Sequence, residues 1–533
     1  MPQFKLMKHQ VAGVRFLNRM NGVGALLYEP GVGKTGTTLT WIDRLAQNKP
    51  NREIRVLVIA PLTAADTWVL QAPPFMDSVV KARMMQGTTK TILTKMAAAR
   101  DWTKVPDMKI GVNHPGTRKT QVSGNRVTIL SMSAGAISSY CSDRTKRVQM
   151  LRAIRKYAPH VIVVDESHII KSATANISTA VYNIGQLAPY RIILTGTVNP
   201  HSPLDVYGQW RFLAPWTFSD QRDEPYVKAP HRMTADQIKA VKPWSWGRFK
   251  DRYSLPGGYK GKGIGGYQNL KELNDWVAER SHVVLKKDAL DLPPVQDIEV
   301  RVTLSPKESA AYKQMRDELA LELASGELLE APNALSKIMK LRQITAGFAK
   351  DTETGEVHVI GNAKRRAVKE VCEVTLGGEK RLVVFAYFRA ECEMLRAELA
   401  KDKNTTVEII TGQTSAKERL AIRKRFGDVS GNPGRIILVA QARTMSLSVN
   451  ELVTAQHAVF ASMSERRDDW VQGRGRLDRN GQKGDSVTFW NCVVPDTVDD
   501  IMLNRHKDRG DLEASLLAHI QAGGGTTRTR KTR

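Results

Sequence analysis

The feature that most constrains the fold is a short apolar run that passes directly into a glycine-rich turn at residues 24–35, GALLYEPGVGKT. A helix-forming stretch follows this turn. A buried strand, a tight turn and a helix in that order form the repeating unit of α/β domains with parallel sheets. Backbone N–H groups in such a turn, together with the dipole of the following helix, attract phosphate oxygens. The segment therefore predicts a phosphate-binding loop at the end of a parallel strand.

Four positions of this loop have expected roles. Gly31 and Gly33 let the backbone approach a phosphate closely. Lys34 is expected to reach the β- and γ-phosphates of ATP, and the Thr35 hydroxyl is expected to ligate Mg²⁺. The full eight-residue pattern asks for glycine at position 28, where the chain has Tyr28. Because only GxGKT is matched, a surface loop with a chance GKT is the alternative.

A second chemical signal is a pair of acids at the end of an apolar run. VIVV at 161–164 leads directly into Asp165 and Glu166, followed by Ser167 and His168. A buried parallel strand would place both carboxylates at the carboxyl edge of the sheet, where α/β proteins bind ligands. Asp165 is expected to hold Mg²⁺, and Glu166 to orient and activate the attacking water. A solvated acidic turn is the alternative, and the upstream GKT argues against it.

Short β-branched runs recur along both halves of the chain. They lie at 54–60, 127–130, 161–164 and 191–194, and again at 382–385, 407–410, 436–440, 458–461 and 487–490. We expect these runs to be buried parallel strands that alternate with helices. The predicted fold class is therefore α/β, with two parallel-sheet domains.

Charge and composition limit the partners. The chain has 80 basic and 54 acidic residues and a formal net charge of +26, which favours a polyanion such as nucleic acid. No run of about 18 apolar residues is present to span a bilayer, and the first residues do not resemble a secretory signal. The four cysteines stand singly, which argues against a disulfide framework or a CxxC metal site. We expect a cytoplasmic protein that is not secreted and has no membrane partner.

The motifs resemble the Swi/Snf-like branch of superfamily-two helicases. The family's acidic box followed by lysine, and its downstream LTGTP, are similar to DESHIIKS at 165–172 and LTGTVNP at 194–200. Other similar segments are the opening LMKHQ with Gly13, APLTAADTW at 60–68, LDVYGQWRFLAP at 204–215, LSPKESAAYKQM at 304–315, LRQITAGF at 341–348, VVFAYF at 383–388 and TVDDIMLNRHKDR at 497–509. The resemblance extends from Leu6 to about Arg509.

This resemblance implies two RecA-like lobes that use ATP and Mg²⁺, with Gln10 recognising adenine. QGRGRLDRNGQ at 472–482 is similar to the family's Q-x-x-x-R-x-x-R-x-G-Q, which implies an arginine-finger role for Arg476 and Arg479. A guanidinium at the γ-phosphate neutralises charge that develops in the transition state. An arginine-rich loop that binds nucleic acid is the alternative for this segment.

The chain also departs from the family. Val198 replaces the proline after TGT, and ARTMSLSVNELVTAQHAVF at 442–460 lacks the usual glycines of motif V. Thr195 and Thr197 are candidates for coupling the ATP site to the nucleic acid, and a purely structural turn is the alternative. The absence of a recognisable chromatin-reading module favours a minimal motor of a bacterium or of a virus-infected host cell.

We predict four regions along the chain. Residues 1–215 form the first lobe, 216–297 an irregular insertion or linker, 298–510 the second lobe, and 511–533 a C-terminal helix and basic disordered tail. Aromatic residues alternate with lysine and arginine in the insertion, namely Trp244, Trp246, Phe249, Tyr253, Tyr259 and Tyr267. Packing of a small subdomain is the commoner use of such residues, and stacking on bases is the alternative.

The expected function is that of an ATP-dependent DNA helicase or translocase, which moves on or remodels DNA in replication, recombination or repair. Duplex DNA is favoured over single-stranded DNA as the track. An RNA helicase and the motor subunit of a restriction or nuclease complex are alternatives. A nucleic-acid-binding scaffold with a dead ATPase site is a third alternative. The intact Lys34, Asp165 and Glu166 argue against it, and so do both arginines, Arg476 and Arg479. Protein partners cannot be read from the sequence.

Overall fold

The computed structural model describes residues 6–49, 52–101, 125–141, 143–196, 202–223, 241–257, 263–325, 331–351, 353–441, 444, 451–479 and 481–508. The chain divides into two compact units, residues 1–290 and 291–533. Each unit has a parallel sheet of its own, so the predicted fold class, α/β with two parallel-sheet domains, is confirmed. In the described part of the chain, no helix is long and apolar enough to cross a membrane.

The first unit is built on a seven-stranded sheet. The strands of this unit are β1 Val23–Tyr28, β2 Glu53–Ala60, β3 Val79–Met85, β4 Arg126–Ser133, β5 Val161–Asp165, β6 Tyr190–Thr195, β7 Ser254–Pro256, β8 Ile264–Tyr267 and β9 Ser281–Val284. The sheet has the order β3-β4-β2-β5-β6-β1-β9, and all of its pairings are parallel. The strands β7 and β8 form a separate antiparallel hairpin.

Helices cover both faces of this sheet. They are α1 Lys8–Arg19, α2 Lys34–Gln47, α3 Leu62–Phe75, α4 Thr89–Ala98, α5 Ala134–Cys141, α6 Arg144–Tyr157, α7 Asn176–Gly185, α8 Val206–Leu213, α9 Trp246–Tyr253, α10 Leu270–Ala278 and α11 Lys286–Ala289. Two separate apolar clusters form, one on each side of the sheet. Because the central strands are buried on both faces, they read as continuous apolar runs in the sequence.

The segment predicted as an irregular insertion, 216–297, is structured over much of its length and contributes to the first unit as far as residue 290. Its residues 281–284 form β9, which pairs with β1 and becomes the seventh strand of the sheet. The first compact unit therefore extends beyond the predicted boundary at 215, and the second begins at 291 rather than 298.

The aromatic residues of this segment pack against one another and against the first unit. Phe249 and Tyr253 are fully buried, with ring centroids 4.8 Å apart, and Phe249 packs edge-on against Phe218 at the same distance. Base stacking is therefore the wrong interpretation for Phe249 and Tyr253, because their rings are inaccessible. Tyr259 lies outside the described residues, and Tyr267 is 37% exposed on β8.

The second unit has a six-stranded sheet in the order β10-β17-β16-β13-β15-β14, again with parallel pairings. Its strands are β10 Val295–Arg301, β11 Phe348–Lys350, β12 Val357–Val359, β13 Arg381–Ala386, β14 Thr405–Ile410, β15 Arg435–Gln441, β16 His457–Phe460 and β17 Val487–Val493. Its helices are α12 Pro306–Ser325, α13 Ala331–Thr345, α14 Ala363–Thr375, α15 Arg389–Leu399, α16 Ala416–Gly427, α17 Arg467–Leu477 and α18 Val498–Asp508. The strands β11 and β12 form a small antiparallel pair. All four cysteines are buried and unpaired, as their spacing predicted.

Candidate nucleotide-binding site

Three neighbouring strands of the first sheet bring the predicted residues to one edge. The strands β5, β6 and β1 are adjacent and parallel, and their last residues are Asp165, Thr195 and Tyr28. The register places Asp165 directly opposite Leu194. The loop at 29–33, the acidic pair and the end of the LTG segment therefore lie side by side at the carboxyl edge of the sheet, where α/β proteins bind ligands.

The phosphate loop has the backbone that its glycines permit. Gly31 has a φ of +91° and Gly33 a φ of +88°, in the region that side chains other than glycine rarely adopt. A Cβ at Gly33 would lie 2.2 Å from Nε2 of Gln10, so a side chain there would also displace the Gln10 amide. The helix α2 begins immediately afterwards at Lys34. The N–H groups of its first turn therefore open onto the loop, an arrangement that suits a phosphate.

Gln10, the predicted adenine contact, lies against this loop. Its Oε1 accepts a hydrogen bond from the Met7 N–H at 2.9 Å, and its Nε2 donates to the Gly33 carbonyl at 3.3 Å. Next to it, Nε2 of His9 donates to the Val32 carbonyl at 2.9 Å. Both side chains tie α1 to the loop, and the role of Gln10 toward adenine stays a prediction.

Lys34 and Thr35 occupy the first turn of α2. The Lys34 ammonium donates to the Tyr28 carbonyl at 2.9 Å, so it lies folded back onto the end of β1. Thr35 is half-buried in the same turn. A phosphate bound in the loop would compete with the Tyr28 carbonyl for the ammonium, because charge-assisted hydrogen bonds to phosphate are the stronger ones.

The acidic pair is held by contacts that the motif does not reveal. Asp165 is buried, and its Oδ2 accepts from the indole Nε1 of Trp68 at 2.9 Å. Its Oδ1 accepts from the Glu166 N–H at 2.9 Å. Glu166 itself has a φ of +49°, and its Oε2 lies 3.5 Å from Nδ1 of His168. Trp68 belongs to APLTAADTW at 60–68, and the similarity of this segment to the helicase family is the only sequence signal for it.

The donor set at this edge fits Mg²⁺. Burial, reinforced by the neighbouring Glu166, raises the pKa of Asp165 to about 6, which marks a buried carboxylate short of positive charge. Asp165 and Thr35 would hold the ion through oxygen, the ligand that Mg²⁺ prefers. Within the described ranges no cluster of three or more His, Cys, Asp and Glu forms a metal site. Mg²⁺ commonly takes only one or two ligands from a protein and completes its shell with water and phosphate oxygens.

The predicted finger arginines lie at the end of α17 in the second unit. Arg476 is in the last turn and Arg479 lies two residues beyond the helix end, both half-buried. Burial lowers the pKa of Arg479, against the opposing effect of Glu451. Arg474 differs, since it pairs with Asp297 and its guanidinium lies 4.1 Å from the centroid of the Phe489 ring. Arg474 is therefore structural, and the finger role stays a prediction for Arg476 and Arg479.

Some predictions fall outside the described residues. Thr195 is fully buried at the end of β6, whereas Thr197 and Val198 lie beyond the described part of this segment. So do most of residues 442–450 of the segment expected to be motif V, and the tail at 511–533. The coupling role of the two threonines stays a prediction.

Family models match both units. The model of the SNF2-related domain matches residues 9–347, more than half of the chain. The model of the helicase conserved C-terminal domain matches residues 363–481.

Individual relatives are distant and longer. Mouse DNA annealing helicase and endonuclease ZRANB3 is 24% identical over 508 residues, which are 94% of this chain and 40% of that protein. The SWI/SNF chromatin-remodeling complex subunit snf22 of Schizosaccharomyces pombe is 21% identical over 546 residues, 97% of this chain and 28% of that protein. The chain thus spans less than half the length of these two relatives.

A solved structure, the Sulfolobus solfataricus SWI2/SNF2 ATPase core in complex with dsDNA, aligns with 98% of this chain and 95% of that chain at 19% identity, with a TM-score of 0.38. The family of this chain is assigned from the two family models and the motifs that they span, and not from this structural alignment. The match to the helicase conserved C-terminal domain follows the SNF2-related match along the sequence. Because the SNF2-related model matches more than half of the chain, the chain belongs to the SNF2-related family.

Proposed function

We propose that the chain is a DNA-dependent ATPase that couples ATP hydrolysis to movement along, or remodelling of, duplex DNA. The observation that supports this most directly is the arrangement of Lys34, Asp165 and Glu166 at one sheet edge in a chain of the SNF2-related family. Because the chain spans 40% of ZRANB3 and 28% of snf22, the proposal concerns the motor alone.

Residues of the first unit divide the work at ATP. The loop N–H groups and Lys34 bind the phosphates, and Gln10 contacts the adenine. Mg²⁺, when bound by Asp165 and Thr35, neutralises charge on the phosphate oxygens. Glu166 lies one residue beyond β5, and from there it orients the attacking water and accepts its proton.

Arg476 and Arg479 are proposed to stabilise the negative charge that develops on the γ-phosphate. The family pattern at 472–482 supports this role, and so does the chemistry of a planar guanidinium that stays charged at every physiological pH. Movement would follow if binding and hydrolysis alternate the grip of each unit on the nucleic acid.

Duplex DNA is the proposed track. The net charge of +26 favours a polyanion, and phosphate contacts would make the affinity independent of sequence and sensitive to salt. The name of one similar protein, the DNA annealing helicase and endonuclease ZRANB3, supports DNA rather than RNA. We further propose a role in replication, recombination or repair, in the cytoplasm of a bacterium or of a virus-infected cell.

One helix of the first unit offers a cationic surface for that track. Within the helix α6, six residues are basic and none is acidic. Arg147 is half-buried, and the other five basic residues are exposed, namely Arg144, Lys146, Arg152, Arg155 and Lys156. Such a one-signed face matches the electrostatic footprint of a nucleic-acid contact.

The test is steady-state ATP hydrolysis by the full chain with no nucleic acid, duplex DNA, single-stranded DNA or RNA, at one fixed low salt concentration. We expect the largest stimulation with duplex DNA. A preference for RNA would replace the proposal with an RNA helicase. No hydrolysis under any of these conditions would contradict the ATPase assignment for the chain acting alone.

A further inference from the structure

Tyr28, where the full phosphate-loop pattern has glycine, reaches from the end of β1 to β9. Its side chain is fully buried, and its hydroxyl lies 2.9 Å from Nδ1 of His282, within hydrogen-bonding distance. The two rings are tilted, with centroids 5.5 Å apart, and Phe16 of α1 stacks on His282 at 5.6 Å. A Cβ at Gly13 would lie 2.0 Å from the Tyr28 hydroxyl, so α1 passes close to this contact because residue 13 is glycine.

Glu29, the next residue, makes two further bonds to the same part of the chain. Its N–H donates to the Val284 carbonyl at 3.1 Å, and its Oε2 accepts from the Lys286 N–H at 2.7 Å. Lys286 begins α11, and the second unit begins at Asp291. Two consecutive residues at the entrance of the phosphate loop therefore hold the segment that leads into the second unit.

The Tyr28 carbonyl also contacts the lysine of the phosphate loop. It accepts the hydrogen bond of the Lys34 ammonium, the group expected to turn toward a phosphate. When the ammonium leaves, this carbonyl loses its charged donor, and the balance of forces on the Tyr28 peptide changes. Gly196, at the end of β6, packs so closely here that a Cβ would lie 3.3 Å from the Tyr28 carbonyl oxygen.

We propose that Tyr28 and His282 form a positioning pair that links nucleotide occupancy of the phosphate loop to residues 281–290, the segment leading into the second unit. The inference rests on the proposed function and assigns it a physical route. A shift at the Tyr28 peptide reaches β9 through the hydroxyl contact with His282 and reaches α11 through Glu29. This role accounts for tyrosine at position 28, since glycine has no side chain to make the contact.

The alternative is that Tyr28 only fills space. In that case, removing its hydroxyl would leave the response of residues 281–290 to nucleotide unchanged. Tyr157 offers a matched control, because it is also buried and its hydroxyl donates to the Val56 and Thr128 carbonyls, at 3.3 and 3.2 Å.

The experiment is hydrogen exchange of the full chain with and without a non-hydrolysable ATP analogue and Mg²⁺, followed in peptides that cover residues 281–290. We expect the analogue to alter exchange there in the wild type, and Tyr28→Phe and His282→Leu to lose at least half of that response. His282→Asn, which keeps a polar atom near the position of Nδ1, is expected to restore it. Tyr157→Phe should respond like the wild type.

Kinetics provide the second readout. In Tyr28→Phe and His282→Leu the DNA-stimulated kcat is expected to fall about fivefold, the effect of one buried hydrogen bond, while KM for ATP changes much less. The double variant should be no worse than Tyr28→Phe alone, because His282→Leu removes a contact that Tyr28→Phe has already lost. A purely structural defect would instead lower activity additively and would not be restored by His282→Asn.

The outcomes separate this inference from the proposed function. If the analogue binds and exchange at 281–290 does not respond in the wild type, or responds equally in all variants, the positioning pair is overturned while the ATPase assignment stands. If the Tyr157→Phe control loses the response to the same extent, the pair is also overturned. If the full chain binds no nucleotide, both proposals fall.

Discussion

At the scale of single residues, substitutions of Lys34 and Glu166 should distinguish nucleotide binding from ATP hydrolysis. Lys34→Ala removes the ammonium expected at the phosphates, so nucleotide turnover should be abolished and nucleotide binding weakened. Glu166→Gln keeps the shape of the side chain and removes its basicity, so ATP should stay bound while hydrolysis slows by about 100-fold or more. Single-turnover hydrolysis and equilibrium binding of a fluorescent ATP analogue measure the two steps. Normal turnover in both variants would contradict the site.

The residues of the site divide into those a local pattern reveals and those it does not. Lys34, Asp165 and Glu166 stand in short motifs at the ends of apolar runs, so their placement at the strand ends was predictable. Trp68 bonds to Asp165 across 97 positions of the chain, and Tyr28 contacts His282 across 254. No local periodicity encodes such pairings, because they exist only after the sheet has brought distant segments together.

At the scale of elements, α6 tests the proposed DNA contact. Reversing Arg152 and Arg155 to glutamate should weaken duplex DNA binding and reduce the slope of log affinity against log salt by roughly two, about one for each phosphate that the helix no longer neutralises. Binding titrations at several salt concentrations measure this slope. The matched control is Arg366→Glu with Lys369→Glu on α14, a helix that also has acidic residues. An unchanged slope in the α6 variant would exclude this helix from the interface.

The packing of α18 on α17 predicts a pH dependence of stability. His506 is buried, stacks on Trp470 with centroids 5.7 Å apart, and donates from Nε2 to the Ser464 carbonyl at 2.7 Å. Burial is the largest cause that lowers its pKa to about 4, with Arg467 and Arg342 acting in the same direction.

Between about pH 6.5 and pH 4 the unfolded chain therefore binds a proton at His506 that the folded chain does not. The free energy of unfolding should fall as the pH is lowered through this range, by roughly 2 kcal/mol between pH 7 and pH 5 from this residue. Urea unfolding followed by tryptophan fluorescence measures it. His506→Gln keeps a donor near Nε2 and should lose this part of the slope, and an equal slope in both proteins would contradict the prediction.

At the scale of the whole molecule, all nine apolar runs proved to be strands. Four strands of the two main sheets have no such run. One of them is β1, which the phosphate-loop motif predicts. The other three are β3 and β9 in the first sheet and β10 in the second. All three are edge strands. An edge strand covers less of the core, so its sequence alternates with polar residues, as in VVKARMM and VQDIEVR. The sequence therefore gives no continuous apolar signal for β9, although the first compact unit includes this strand.

The late arrival of β9 has a consequence for synthesis on the ribosome. The Arg280 guanidinium donates to the Val23 carbonyl across 257 positions of the chain, and β9 follows at once to pair with β1. At about 5–20 residues per second, β1 emerges tens of seconds before its last neighbour is made. Until then its outer backbone groups are an unsatisfied template for pairing with other chains. The nascent first unit is therefore most exposed to aggregation in that interval, and a fragment cut at 215 would stay there permanently.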